Sequence, residues 1–288
     1  MGFRGFSVNS AIAMFQRALN MASRFLGAVA TLGSLILAGS DEGWAVHASV
    51  QRESDVPVLV ELFTSEGCSS CPPADEVLIR LDEQQPVTGV QVVVVSEHVD
   101  YWNGLGWRDP FSSVNYTQRQ DEFRKALGEP ASYTPQMVVD GRTALVGSLR
   151  AEVHEAIAVA AGRRKTVLQL QVSGPESREE VTVEVEVADL PRLSDGQTVE
   201  LWFVVTESGL TSNVSRGENA RRRLRHAAVA RRFELVETLP AVLPVRYHAT
   251  ITVAIDPTWD RHRLRGVAFL QEAVSRAVVG VAQISLTP

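Results

Sequence analysis

The chain has 288 residues, which is long enough for two domains of ordinary size. With 45% hydrophobic and 22% charged residues, its composition is globular and excludes a largely disordered chain. A formal net charge of −6 and a pI near 5.6 argue against a nucleic-acid partner.

The first 48 residues have the layout of a signal peptide. No acidic residue occurs before Asp41, and the uncharged segment 25–39 is short for a membrane span. Small residues at Val46 and Ala48 suit a cleavage site, and Met21 offers an alternative start with a compact n-region. We therefore expect an exported protein, periplasmic or secreted. The alternative is an uncleaved N-terminal anchor, which would be its contact with the membrane.

A C-x-x-C motif at residues 67–73 (GCSSCPP) holds the chain's two cysteines, Cys68 and Cys71. It follows an apolar run at 56–63, typical of a buried parallel strand, and precedes a helical pattern at 73–84. A disulfide across two residues closes a very small loop and removes little chain entropy. The spacing therefore favours a reversible redox pair over a structural disulfide.

The surroundings of the motif suggest how the pair is tuned. Cys68 is expected near the helix N-terminus, where free N–H groups stabilise a thiolate. Pro72 and Pro73 suit the first helical turn, where a missing N–H has no cost. Glu61, inside the strand, is either a polar residue at an edge or a carboxylate beneath the cysteines that moves their protons.

A second buried strand is predicted at 89–95, and a loop rich in aromatic residues, His and Gly follows it. In α/β folds, loops at the C-terminal ends of strands carry function. His98 in this loop is either hydrogen-bonded to backbone or exchanges protons near Cys68. Trp102 either packs the loop or contacts substrate.

The pattern continues with a helix at 113–127, a β-hairpin at 137–146 and an amphipathic helix at 149–162. Thr134-Pro135 comes just before the hairpin. Its peptide bond is either cis, in a tight turn facing the cysteines, or an ordinary trans bond at a strand start.

The order βαβαββα, with C-x-x-C at the first strand–helix junction, resembles the thioredoxin fold over residues 55–163. The resemblance implies that Cys68 is an exposed attacking thiol and Cys71 resolves the mixed disulfide. It also implies that Thr134 and Pro135 hold substrate backbone, and it makes Glu61 an approximate match to the family's buried acid. The chain lacks a Trp before Cys68 and has Ser-Ser between the cysteines, so the direction of electron flow is left open.

Four longer sequence segments show a second resemblance. ELFTSEGCSSCPPAD, HVDYWNGLGWRDPFS, YTPQMVVDG and RGENARRRL are similar to the domain-of-unknown-function 1223 family. That resemblance implies an exported bacterial protein with a thioredoxin-like part followed by a β-rich part.

Residues 166–288 change to a period of two, with short apolar or alternating runs separated by turn residues. This pattern predicts an antiparallel, β-sandwich-like domain beginning near 163–166. Between its strands, residues 216–232 contain seven arginines and His226. This basic segment is either a solvated hairpin or an anionic contact to another domain, a lipid headgroup or a partner.

The leading hypothesis is thiol–disulfide exchange with protein thiols or disulfides of the cell envelope, without a cofactor. A rival hypothesis is copper binding or delivery through Cys68, Cys71 and His98, a soft ligand set. A third is a module that binds a peptide or partner without catalysis.

Overall fold

The computed structural model describes residues 55–173, 179–188, 197–240 and 246–287. The predicted signal peptide, 1–48, lies outside these residues. The described part of the chain contains no helix that is long and apolar enough to span a membrane.

The first half follows the predicted order of elements, and most of their bounds lie within one or two residues of the predicted ones. The elements are β1 (Val56–Thr64), α1 (Pro72–Gln84), β2 (Val90–His98), α2 (Val114–Leu127), β3 (Gln136–Val139), β4 (Thr143–Val146) and α3 (Arg150–Ala161). The second half is built of strands: β5 (Val167–Ser173), β6 (Glu180–Ala188), β7 (Thr198–Glu207), β8 (Leu210–Asn213), β9 (Arg223–His226), β10 (Val229–Pro240), β11 (Arg246–Ala254), β12 (Leu264–Glu272) and β13 (Val278–Ser285).

Strands from both halves form one eight-stranded mixed sheet, in the order β13-β12-β7-β10-β2-β1-β3-β4. β1 and β2 are parallel, whereas β3 and β4 add in antiparallel fashion. β10 connects the halves, because Val229 pairs with Ser96 on β2 while the rest of β10 pairs with β7. The protein therefore has a mixed α/β architecture that is rich in sheet.

The alternation of side chains along β1 decides which helix each residue meets. Val58, Val60 and Leu62 pack with α1 and α3 on one face. Leu59 and Phe63 point to the other face, where their apolar clusters include α2. A side chain at position 61 must therefore lie on the α2 face.

A second layer covers the far part of the large sheet. β11, β6 and β5 form a three-stranded antiparallel sheet, and its inward side chains share a core with β7, β12 and β13. Val183, Phe203 and Leu270 of this core are fully buried, and each such side chain contributes about 1.5–3 kcal/mol of transfer free energy.

The strand β10 begins at the end of the basic segment and was not predicted as a separate strand. The ladder with β7 shifts register between Ala230 and Arg232. This bulge leaves Arg231 as the extra residue and interrupts the alternation by which a strand is recognised. The basic segment thus contains β9, which pairs with β8 in a hairpin, and the first four residues of β10 in the main sheet.

Candidate functional site around the cysteine pair

The cysteines lie at the junction of β1 and α1. Cys68 and Cys71 form a disulfide, and their Cα atoms are 5.5 Å apart. Cys71 occupies the N-cap position of α1, and the two prolines that follow it begin the helix as predicted. The expectation that Cys68 lies nearest the helix N-terminus is therefore corrected, since Cys71 takes that position and Cys68 precedes it by three residues.

Both cysteines are completely buried, whereas Ser69 and Ser70 between them are exposed. An exposed Cys68 was expected, so this is a second correction. A segment about 150 residues further along the chain lies against the cysteine turn. It comprises residues 214–222, between β8 and β9, and we call it the cover loop.

The cover loop is attached to the cysteine turn by hydrogen bonds. The Asn219 side-chain amide donates to the carbonyls of Glu66 and Cys68, both at 2.9 Å. The backbone N–H of Ser69 donates to the Glu218 carboxylate at 3.0 Å. Gly217 has a φ of +74°, and a Cβ there would lie 3.2 Å from the Cβ of Trp107. A glycine lets the cover loop approach this tryptophan closely.

The structure brings Thr134, Pro135 and Trp102 to the same place. The Trp102 indole N–H donates to the Thr134 hydroxyl at 2.9 Å, and Ser70 Oγ lies 3.5 Å from the Thr134 carbonyl. The Thr134-Pro135 peptide bond is cis, and Pro135 is buried. These three predicted site residues thus border the turn between the cysteines.

Beside the cysteine turn lies a buried cluster of ionisable side chains. His98 Nδ1 is 2.7 Å from Asp109 Oδ2, and the same oxygen accepts the backbone N–H of Glu66 at 2.8 Å. His226 Nε2 is 3.1 Å from Glu66 Oε1. The two imidazole rings lie 4.9 Å apart. Two histidines and two carboxylates from distant parts of the chain therefore form one connected group.

Charge interactions set the proton affinities in this cluster. Burial disfavours the imidazolium, but the Asp109 carboxylate outweighs burial and raises the pKa of His98 above its ordinary value. Burial acts against ionised Asp109 as well, yet His98 and the hydrogen bonds lower the pKa of Asp109. Each of the two side chains therefore stabilises the charged form of the other.

Asp75 on α1 is a further buried acid near the pair. Its backbone N–H donates to the Cys71 carbonyl at 3.1 Å, and its carboxylate accepts from the Thr64 hydroxyl at 2.9 Å. Burial raises the pKa of Asp75, an effect that His226 and His98 partly offset. Asp75 therefore holds its proton to a higher pH than an ordinary aspartate.

Two imidazole nitrogens in the cluster, His98 Nε2 and His226 Nδ1, have no hydrogen-bond partner among the described residues. The Phe111 ring meets both imidazoles edge-on at 5.4 and 5.7 Å. Each histidine therefore has one ring nitrogen beside a carboxylate and the other without a partner among the described residues.

Glu61 is not brought to the cysteines. It lies on the α2 face of β1, fully buried, where Arg119 Nε donates to it at 2.7 Å. The Arg119 guanidinium also lies 4.6–5.5 Å from the ring centroids of four aromatic side chains, Phe123, Trp202, Phe233 and Phe269. Both interpretations made from the sequence are therefore wrong. Glu61 is not beneath the cysteines, and it is not at an edge, because β1 lies between β2 and β3. It belongs to a buried ion pair that joins α2 to the main sheet.

The copper hypothesis named Cys68, Cys71 and His98 as ligands. The cysteines are joined as a disulfide, and His98 Nδ1 is engaged by Asp109. Within the described ranges no group of three or more His, Cys, Asp or Glu side chains is placed to hold a metal ion. Copper binding stays a prediction.

Sequence reasoning missed Glu66, Asp75, Asp109, His226 and Asn219. Glu66 and Asp75 stand within four residues of a cysteine, and this proximity was the available signal. His226 and Asn219 lie in the basic segment, whose main sequence signal is its arginines. Only the tertiary fold places these two residues at the cysteine turn.

Two solved structures resemble this chain. Protein AGR_C_4864 from Agrobacterium tumefaciens is 26% identical, with a TM-score of 0.57, and the match covers 80% of this chain and 94% of that one. HBP35 of Porphyromonas gingivalis is 14% identical with a TM-score of 0.58, covering 80% and 75%; at this identity the likeness concerns the fold alone. No curated protein matches the chain. The model of the family described as "Protein of unknown function (DUF1223)" matches residues 59–271, which include the cysteine turn, the histidine cluster and the cover loop. The chain therefore belongs to the DUF1223 family.

Proposed function

We propose that this protein is an exported, thioredoxin-like thiol–disulfide oxidoreductase that acts on protein substrates through Cys68 and Cys71. The observation that carries the proposal is the disulfide at the N-terminus of α1. A cysteine pair spaced in this way closes a loop too small to stabilise the fold by much, whereas a helix N-terminus stabilises the thiolate that exchange requires.

The surrounding architecture supports a thioredoxin-like unit. β1 and β2 are parallel with α1 between them, and the antiparallel β3 lies on the other side of β1. Thr134 and Pro135, at the entry to β3, border the cysteine turn through Ser70. A substrate chain laid along this border would pass the disulfide.

In the oxidising direction a substrate thiolate attacks one sulfur of the pair. The Cys68–Cys71 bond breaks, a mixed disulfide forms, and the released cysteine leaves as a thiolate that takes up a proton. A second substrate thiol loses its proton and attacks the mixed disulfide. The products are a substrate disulfide and the Cys68/Cys71 dithiol, so two electrons pass from substrate to protein. The reducing direction is the reverse.

Cys68 is proposed as the cysteine that enters the mixed disulfide. Its Sγ lies 3.3 Å from the hydroxyl of Ser70, an exposed residue, whereas Cys71 is held in the first turn of α1. Asp75 and the His98–His226 cluster are proposed to exchange the protons of the two thiols. Because both sulfurs are buried, the cover loop must move aside before a protein substrate reaches them.

The test uses purified protein, reduced and reoxidised in the folded state. Cys68→Ser and Cys71→Ser should each abolish catalysed disulfide exchange in an insulin-reduction or refolding assay, since each removes one half of the pair. Asn115→Ala, at an exposed position on α2, is the control, because it leaves the cysteine turn and its neighbours unchanged. Unchanged activity in the Cys68→Ser variant would refute the proposal.

Export is the second part of the proposal, and it rests on the predicted signal peptide. Expression of the full-length chain in a bacterial host, followed by N-terminal sequencing of the periplasmic fraction, should show cleavage after Ala48. An intact N-terminus in the cytosolic fraction would contradict it.

A further inference from the structure

The hairpin β8–β9 and the cover loop carry a cluster of arginines beside the disulfide. Five arginines occur within ten residues, and all of them are exposed: Arg216, Arg221, Arg222, Arg223 and Arg225. We call this surface the arginine face. The alternation along β9 produces part of it, because Leu224 and His226 point inward while Arg223 and Arg225 point out.

Most of this positive charge is not neutralised within the protein. Among the described residues, the side chains of Arg216, Arg221 and Arg223 form no hydrogen bond or ion pair. Arg225 lies 3.8 Å from Glu83, but both side chains are exposed, and Arg222 donates to the Asn219 side chain. The whole chain has a net charge of −6, so the arginine face is a local patch of the opposite sign.

The arginine face lies close to the disulfide while the cover loop is closed, and Arg223 and Arg225 are on β9, outside that loop. His226, the last residue of β9, contacts Glu66, and Asn219 of the cover loop contacts the carbonyl of Cys68. A groove of about 160 Å³ runs between β9 and the start of α1, and Pro72 in its lining directly follows Cys71. A segment bound along the arginines would therefore lie next to the sulfurs.

The cysteine turn already binds a carboxylate. The exposed side chain of Glu218 accepts the backbone N–H of Ser69, between the two cysteines. When the cover loop moves aside, this N–H loses its partner. A carboxylate from a docked segment can then take the position of Glu218.

We infer that the arginine face binds an acidic segment of the substrate protein, the protein that exchanges disulfides with Cys68 and Cys71. The inference rests on the proposed function. Arginine guanidinium groups form paired hydrogen bonds with carboxylates, and a patch of one sign attracts a segment of the opposite sign. Both effects weaken as salt is added. The arginine face would thus select among envelope substrates by their charge.

The experiment compares two dithiol peptides that differ only in the residues on both sides of their cysteines. These residues are Asp and Glu in the acidic peptide and Lys in the basic peptide. The rate at which the oxidised protein oxidises each peptide is measured from low to high ionic strength. We expect the acidic peptide to react about tenfold faster or more at low salt, and this preference should shrink as salt rises. Arg216→Glu/Arg223→Glu should abolish or invert the preference, whereas Arg163→Glu/Arg164→Glu, with the same charge change at exposed positions outside the arginine face, should retain it.

Equal rates for the two peptides in the wild type overturn the inference. The inference also fails if Arg163→Glu/Arg164→Glu lowers the preference as much as Arg216→Glu/Arg223→Glu does. The wild-type salt series alone decides the matter if the first variant does not fold. Reduction of the wild type by dithiothreitol distinguishes failure of the docking inference from failure of the proposed function. If dithiothreitol reduces the folded protein reversibly while the peptides are not distinguished, only the docking surface is wrong; if it never reduces the folded protein, the proposed function fails with it. Arginine-dependent binding to phosphatidylserine vesicles, without peptide preference, would assign the face to a lipid surface and overturn the inference.

Discussion

Replacing Asn219 with alanine should loosen the cover over the disulfide. The Asn219 amide donates to two carbonyls of the cysteine turn, and its own carbonyl accepts from Arg222 at 2.8 Å. The two bonds to the turn are worth about 0.5–1.5 kcal/mol each, or about 1–3 kcal/mol together. If reduction requires displacement of the cover loop, the open state should become about 5- to 150-fold more populated.

The assay measures how fast dithiothreitol reduces the folded protein. Samples are quenched with a maleimide and the labelled cysteines are counted by mass spectrometry. Asn219→Ala should be reduced about 5- to 150-fold faster than the wild type, whereas Asn115→Ala, at an exposed position on α2, should be reduced at the wild-type rate. Urea denaturation of each variant corrects for any change in global stability. An unchanged reduction rate in Asn219→Ala would show that the disulfide is reached without moving the cover loop.

Three further predictions concern the buried ionisable groups. Arg119→Met should lower the free energy of unfolding, measured by urea denaturation, by about 3–5 kcal/mol, because the buried Glu61 loses its cation. Glu61→Gln/Arg119→Met should recover part of this loss. An unchanged free energy of unfolding in Arg119→Met would contradict the ion pair. For His98, whose folded pKa is raised from its ordinary value of 6.5, the stabilisation is fully present below the unfolded value and is lost as pH rises through the folded one. The difference in unfolding free energy between wild type and His98→Gln should therefore shrink as pH rises above 6.5, and a constant difference would refute the pairing with Asp109. Asp75→Asn should flatten the pH dependence of the rate of disulfide exchange, because Asp75 keeps its proton to a higher pH than usual; an unaltered profile would exclude Asp75 as a proton carrier.

Local patterns predicted the first half of the chain well, because its signals lie close together in sequence. The apolar run of β1 and the prolines after Cys71 determined the strand and the start of α1 without reference to the rest of the chain. Ser113, the first residue of the predicted helix, caps α2, and its hydroxyl accepts from the backbone N–H of Asn115.

The incorrect predictions have physical causes in long-range contacts. Glu61 was expected near the cysteines because of its separation along the chain, but the two-residue period of β1 turns it toward Arg119. Asn219, far along the chain, donates to the carbonyl of the buried Cys68, and the ladder between β10 and β2 consists of one residue pair, Val229 with Ser96. Neither pairing leaves a signal in the residues near the cysteines.

The reversibility of the Cys68–Cys71 disulfide in the folded protein is the central claim, and redox titration tests it most directly. The protein is equilibrated in glutathione buffers of graded potential, the thiols are trapped, and circular dichroism monitors the fold. We predict one reversible two-electron transition, approached equally from the reduced and the oxidised protein, with the fold intact throughout. A disulfide that is reduced only when the protein unfolds, or that does not form again after reduction, would contradict the account.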